Sequence, residues 1–318
     1  MKLLSIVVPC YNEQEVLPMF YEKINEIMGQ MTQKYNELTY EIVFINDGSK
    51  DKTLEILRQY ASSDKKIRYI SFTRNFGKEA GIFAGLEASK GDYVVVMDAD
   101  LQHPPEFLLE MYKYVSSGEY DCATTRRVDR DGESKIRSWF ARKFYRIMNK
   151  ISQTEIVDGA QDFRFMTRQM VDSILSMKEY NRFSKGIFSW VGFRVKYMEY
   201  KNVERAAGTT AWSFWSLFRY SIEGIVAFST APLAIASLLG IVSCILAFIM
   251  AICIVIKTLV FGESVEGYPT LACLILLLGG LQLFSIGILG QYLAKTYMEC
   301  KNRPIYLIQE TEEYIADK

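Results

Sequence analysis

Two stretches of this chain carry no charge: 224–256, between Glu223 and Lys257, and 267–294, from Gly267 through Ala294. Each is long enough to cross about 30 Å of hydrocarbon as a helix, which takes roughly 20 residues. A helix packed in a globular core rarely runs that far without a polar face. Two membrane spans are therefore expected, at 229–256 and 269–294, joined by an extracytoplasmic loop at 257–268. Lys201, Arg205 and Arg219 precede the first span, and Lys295, Lys301 and Arg303 follow the second. The loop offers only Lys257, beside Glu263 and Glu266. Basic residues stay inside, so both ends are expected on the cytoplasmic face of the plasma membrane, with 295–318 as a cytoplasmic tail.

The N-terminus does not read as an export signal. Leu3 to Val8 is too short for an apolar signal core and runs into Pro9, Tyr11 and Asn12 without a small-residue cleavage site. A domain at 1–205 is expected to stay in the cytosol. The six cysteines fit, since none form a C-x-x-C pair and three fall within the spans. With 37 basic against 37 acidic residues, the chain has no charge excess for a general nucleic-acid surface.

Within 1–205, strand-like and helix-like runs alternate. LLSIVV, YEIVFIN, IRYISF and DYVVVMD are short runs rich in Val, Ile and aromatics. Between the first two, Val16, Phe20, Ile24, Ile27, Met28 and Met31 recur at helical spacing. Thr53 to Tyr60 and Lys78 to Ala88 read as the next helices. Such alternation predicts an α/β fold with a doubly wound, mostly parallel sheet. Ligands of such sheets bind beyond the carboxyl ends of the strands. Polar turn residues gather there four times: Pro9-Cys10-Tyr11-Asn12-Glu13, Asn46-Asp47-Gly48-Ser49, Thr73-Arg74-Asn75 and Asp98-Ala99-Asp100. Two further segments mix basic and aromatic residues, 126–150 and 212–222, and both read as helices lying in the membrane interface, an ordinary domain helix with a solvated basic face being the plainer alternative; the second belongs to a stretch at 206–228 that leads into the first span.

Two carboxylates at i and i+2, as in Asp98 and Asp100, can converge on a hard divalent cation, Mg²⁺ or Mn²⁺. A solvated acidic turn is the plainer reading of the same pattern. Asp47 could accept hydrogen bonds from a base or ribose, or simply shape a turn. No G-x-G-x-x-G and no Walker A lysine are present, so a bound nucleotide needs a metal to neutralise its phosphates. His103, the one histidine, reads as a packing residue of the loop.

SIVVPCYNEQE, EIVFINDGSKDKT, RNFGKEAG, DADLQHPPE and GAQDFRF occur in this order. Together they resemble family 2 glycosyltransferases of the GT-A fold, over essentially the whole chain. With the two apolar stretches, they resemble the polyprenyl-phosphate branch, which includes dolichyl-phosphate mannose synthase and the bacterial bactoprenol glucosyltransferases. The resemblance implies an inverting transfer of a sugar, glucose first and N-acetylglucosamine or mannose behind it, from a nucleotide donor to a polyprenyl phosphate. It implies nucleotide-sugar contacts at Pro9, Tyr11, Glu13, Asp47, Lys78, Asp98 and Gln102. It further implies metal binding at Asp98 and Asp100, a catalytic Asp162, and phosphate or lipid-acceptor contacts at Arg126, Arg127, Lys135, Arg137 and Arg205. A homo-oligomer, a tetramer by this pattern, is implied as well, with a flippase and a downstream glycosyltransferase as partners. Gly208-Thr209-Thr210 departs from the Gly-x-Ser-Lys of many relatives. A processive polysaccharide synthase is the nearest rival, because Gln161-Asp162-Phe163-Arg164-Phe165 approaches Q-x-x-R-W. Two spans give little room for an export pore. A membrane-anchored scaffold is the other rival, against which the retained Asp98, Asp100 and Asp162 argue.

Overall fold

The computed structural model describes residues 1–127, 149, 157, 159–200, 224–261 and 267–315. Lys135, Arg137, Arg205 and the interfacial helix expected at 212–222 lie outside them, as does most of segment 126–150. The sheet is built from β1 (Lys2–Cys10), β2 (Leu38–Asn46), β3 (Ile67–Phe72), β4 (Tyr93–Val96), β5 (Cys122–Arg127), β6 (Ala160–Thr167), β7 (Val195–Tyr200) and β8 (Ile308–Thr311). Their order is β7-β5-β6-β4-β1-β2-β3-β8. The central four are parallel, β1 lying between β2 and β4 with β3 outside β2. Strand β6 runs antiparallel to both β4 and β5. This is the α/β architecture expected from the alternating runs.

Each crossover carries a helix: α1 (Leu17–Lys34), α2 (Thr53–Ser63) and α3 (Lys78–Ala88), with α4 (Phe107–Ser116) following β4. Helix α1 buries Leu17, Phe20, Ile24, Ile27, Met28 and Met31, a stripe at spacings of three and four that the sheet residues Leu4, Ile6 and Val8 cover. Helix α3 is apolar on most sides and lies closer to the sheet. At Gly85 an added Cβ would sit 2.1 Å from Val7 Cγ1, so only glycine permits that approach. Helices α5 (Arg168–Ser176) and α6 (Ser184–Trp190) pack behind β6. Thr167 caps α5, its side chain accepting from the Met170 amide.

The two uncharged stretches form α7 (Ala231–Phe261) and α8 (Tyr268–Cys300). Both are long and apolar enough to cross a membrane, and none of their most apolar windows is buried. Leu238, Ile245, Phe248, Leu277, Leu283 and Ile286 stand exposed at 54% or more. A core helix would hide such a face, and water would not tolerate it. The helices outlast the expected spans, through Phe261 and Cys300.

After α8 the chain returns to the sheet. Strand β8 pairs antiparallel with β3, and α9 (Glu312–Ile315) follows it. Arg58 forks onto Glu310 at 2.8 and 2.6 Å. Arg68 joins Glu312 at 2.8 Å and Glu41 at 3.2 Å, and the Tyr306 ring stacks on Phe72 at 4.9 Å. The tail is thus a strand of the domain.

Candidate active site

The carboxyl ends of β1 to β4 form one edge, and the start of the antiparallel β6 reaches the same edge. In the ladder Val95 faces Phe165 and Val96 faces Arg164. Continuing that register by two residues sets Asp98 opposite Asp162. Lys78, at the start of α3, closes the arrangement: its Nζ lies 2.9 Å from an Asp98 carboxylate oxygen and 2.7 Å from Asp162 Oδ2. Three residues separated by up to 84 positions therefore meet at one point.

The electrostatics follow from that contact. Burial favours a neutral Asp162, but Lys78 beside it, with Lys185 and Arg164, holds its carboxyl far below the ordinary range. Partial desolvation disfavours the Lys78 charge although its side chain stays half-exposed, and Asp162 and Asp98 more than offset it, raising the ammonium well above its usual value. Both groups stay ionised throughout the physiological range.

Asp100 accepts from the Gln102 amide at 3.1 Å, which folds the loop after β4. Leu101 between them has φ +56°, a left-handed conformation that a bulky side chain rarely adopts. Asp98 and Asp100 supply two oxygen donors, and among the described residues no group of three or more potential ligands surrounds them. This set suits a hard ion that keeps waters and completes its shell with phosphate oxygens, as Mg²⁺ does. It does not suit a zinc site, which needs three or four protein ligands.

Asp47 has a different occupation. It is 4% exposed, and its two oxygens accept from the Phe76 and Gly77 amides at 2.6 and 2.9 Å. Burial raises its pKa and these two bonds oppose the rise. The carboxylate thereby pins segment 74–77 across the end of β2. Gly48 allows it: φ is +64°, and a Cβ there would lie 2.4 Å from the Arg74 carbonyl carbon. The β1–α1 loop is latched to the next loop by Asn12, whose amide donates to Ser49 Oγ and whose Oδ1 accepts from Lys50. Glu13 belongs to this latch, its amide donating to Thr53 Oγ1 at 2.8 Å. Pro9, the penultimate residue of β1, lies against Gly81 of α3, and Tyr11 is 43% exposed at the rim.

Arg126 sits on β5 opposite Ala160, at the same end of the sheet as Asp162, and approaches Glu199 at 3.9 Å. Arg127 pairs in register with Tyr200. His103 is buried, its Nδ1 2.9 Å from the Tyr200 hydroxyl and its ring stacked on Phe163. Burial lowers its pKa, and it packs the loop as expected.

Some neighbours were not foreseen. Glu79, next to Lys78, accepts from the amide and the hydroxyl of Ser184, tying α3 to α6. Arg164 is 2% exposed, lies 4.5 Å from the Phe188 ring and leaves Nε without a partner. The alternation of β6 could have exposed it, since Arg164 shares a face with Asp162.

Comparison with known proteins places this geometry. Residues 5–175 match the family model described as glycosyl transferase family 2. The chain is 44% identical to the putative glycosyltransferase CsbB of Bacillus subtilis (strain 168), over 97% of this chain and 92% of that protein. It is 42% identical to the prophage bactoprenol glucosyl transferase homolog of Escherichia coli (strain K12), over 98% and 99%. It is also 42% identical to the bactoprenol glucosyl transferase of Shigella phage SfII, over 97% and 98%.

Proposed function

The chain belongs to glycosyl transferase family 2, and on that premise we propose that it transfers glucose from UDP-glucose to the phosphate of a polyprenyl lipid, undecaprenyl phosphate, for modification of a cell-envelope glycan. It is a glycosyltransferase; the sugar, nucleotide and carrier are the reading offered here. The observation that carries it is the meeting of Asp98 and Asp162 on Lys78, beside Asp100, in a chain whose next elements are two apolar helices. The names of the full-length relatives support glucose and the lipid carrier.

In this reading Pro9, Tyr11, Glu13, Asp47 and Gln102 shape the donor pocket. A divalent cation held by Asp98 and Asp100 would neutralise the departing diphosphate. Arg126, Arg127, Lys135, Arg137 and Arg205 serve the donor and lipid phosphates, for which the guanidinium fork is suited. A phosphate oxygen of the lipid attacks the anomeric carbon as the bond to the UDP oxygen breaks, so configuration inverts and an α-linked donor gives a β-linked product. The lipid phosphate has a second pKa near 6 and is already largely dianionic at neutral pH. It needs little help from a base. Asp162, ionised and paired, instead fixes Lys78 and the field around the reacting centre.

We further propose that α7 and α8 cross the membrane with both chain ends on the cytoplasmic face. The return of β8 to β3 supports an even number of crossings, and the basic residues flanking both helices support the inward side. Domain limits at 1–205, 206–228, 229–256, 257–268, 269–294 and 295–318 follow from the same reading, with β8 as the tail's contribution to the catalytic sheet. A homo-oligomer, a flippase and a downstream glycosyltransferase belong to this reading as partners.

The test is reconstitution of the full-length protein in vesicles containing undecaprenyl phosphate, with UDP-glucose, UDP-N-acetylglucosamine and GDP-mannose offered separately. Mass analysis should find a hexosyl lipid from UDP-glucose, lost on chelation of divalent ions. Product only from another donor reassigns the sugar, and no glycolipid from any donor sinks the proposal.

A further inference from the structure

A cavity of about 270 Å³ lies where the catalytic domain meets the roots of the apolar helices. One wall is segment 74–80, whose Phe76 and Gly77 amides hold Asp47 and whose Lys78 bridges Asp98 and Asp162. Gly224, Ala227 and Lys295 form the opposite wall, from the helical turn before α7 and the far end of α8. Glu299 fastens that end of α8, accepting from the Tyr180 and Asn181 amides at about 3 Å. The cavity therefore adjoins both the reaction centre and the base of the membrane helices.

Three cations line it: Arg74, Arg182 and Lys295. Arg74 lies 4.0 Å from the Phe76 ring and donates to the Asn75 carbonyl. Arg182 lies 4.4 Å from the Phe83 ring and donates to the Met177 carbonyl. Lys295 donates to Asn181 Oδ1 at 3.3 Å. Their hydrogen-bond acceptors are neutral, and among the described residues none of the three makes an ion pair. Glu79 is the one carboxylate in the lining, and its Oε2 accepts from both the Ser184 amide and hydroxyl. Arg182 feels Glu79 and Glu179 only at a distance, and burial still pulls its pKa down. Arg74 stands exposed at the mouth while Arg182 and Lys295 are half-buried, and a cation partly withdrawn from water without a paired anion is relieved by a bound polyanion. Tyr180 and Asn181 also line it, and Phe76, Phe183 and Ile305 supply its apolar part. Sites that engulf a whole ligand run to roughly 300–1,000 Å³, so this one fits a headgroup whose chain lies outside.

Resting on the function proposed above, we infer that this cavity seats the phosphate of the lipid acceptor, its apolar chain leaving along α8. Arg74, Arg182 and Lys295 supply the donors to the phosphate, and segment 74–80, which carries Lys78 to Asp98 and Asp162, is shared between the seat and the reaction centre.

Direct binding separates this claim from turnover. The full-length protein in detergent is titrated with undecaprenyl phosphate and, separately, with phosphatidylglycerol, and steady-state rates are measured with both substrates varied. R74Q/K295Q changes two peripheral side chains; R182K keeps the charge and removes the fork, guarding against misfolding of a glutamine variant. Loss of charge-assisted bonds should weaken undecaprenyl phosphate binding about tenfold in R74Q/K295Q. The acceptor KM should rise in step while the donor KM holds. Unchanged lipid affinity in variants of an active enzyme overturns the seat and leaves the proposed function standing. An equal loss toward phosphatidylglycerol assigns the cavity to bulk lipid and overturns it too. A wild type that binds the lipid yet makes no glycolipid from any donor sinks the function reading instead.

Discussion

Lys78 is the residue through which the site is assembled, because among the described residues it alone touches both Asp98 and Asp162. Its removal leaves two carboxylates facing each other without the cation that bridges them, although Lys185 and Arg164 still act on Asp162. Lys78→Met should therefore raise the Asp162 pKa toward the ordinary carboxylate range, and lower kcat by roughly 10²-fold or more, the scale seen when one preorganised group is lost. Asp162→Asn makes a sharper test of chemistry. The native carboxyl is held far below its ordinary range, so it is ionised at every pH where the enzyme works. The acid limb of the rate profile should then report the lipid phosphate, near pH 6, and keep its position in the variant. Above about pH 7 the deficit should be flat. A variant rescued steadily from neutral to alkaline pH would return Asp162 to the role of general base. Asp98→Asn and Asp100→Asn should each weaken metal-dependent donor binding while leaving the thermal midpoint within a few degrees, because both lie at the loop edge of the sheet.

Among the elements, α3 and β8 make opposite demands. Helix α3 tolerates no extra atom at Gly85, where Val7 closes the space. Gly85→Ala should cost about 1–3 kcal/mol by overpacking, read as a lowered denaturation midpoint. Strand β8 depends on polar contacts. Arg68 lies 20% exposed between Glu41 and Glu312, and Arg68→Ala should cost about 2–3 kcal/mol, since Glu41 stays buried with only Ser5 and Lys90 to satisfy it. These two cases also mark what could be read in advance. The strands and helices of the first hundred residues announce themselves by period and by the turn residues that end them, and the edge where Asp98 sits is legible for that reason. The pairing of Asp98 with Asp162 is a matter of register between distant strands, which local patterning does not carry. Strand β8 is shorter still, four residues after Pro304, and only the open flank of β3 decides that Ile308 to Thr311 extend beside it. Asp47 shows the remaining gap: its place in the loop was readable, its grip on the Phe76 and Gly77 amides was not.

For the whole molecule, the sheet is joined to the two apolar helices at both ends, before α7 and after α8. A four-residue strand following α8 completes a sheet begun before α7. In sealed vesicles of defined sidedness, an impermeant maleimide should reach Cys300 from the face that carries the catalytic domain. A cysteine placed at Ser264 should react only from the other face. Labelling of both from one side would remove the double crossing. The same arrangement bears on how the protein is made. Until the ribosome has released the residues beyond 300, β3 presents an unpaired flank, the kind of edge through which chains aggregate. On the two-span reading, a nascent chain halted before β8 thus stays recognisable to proteases and chaperones, and the sheet gains its last strand only once both apolar helices have been made.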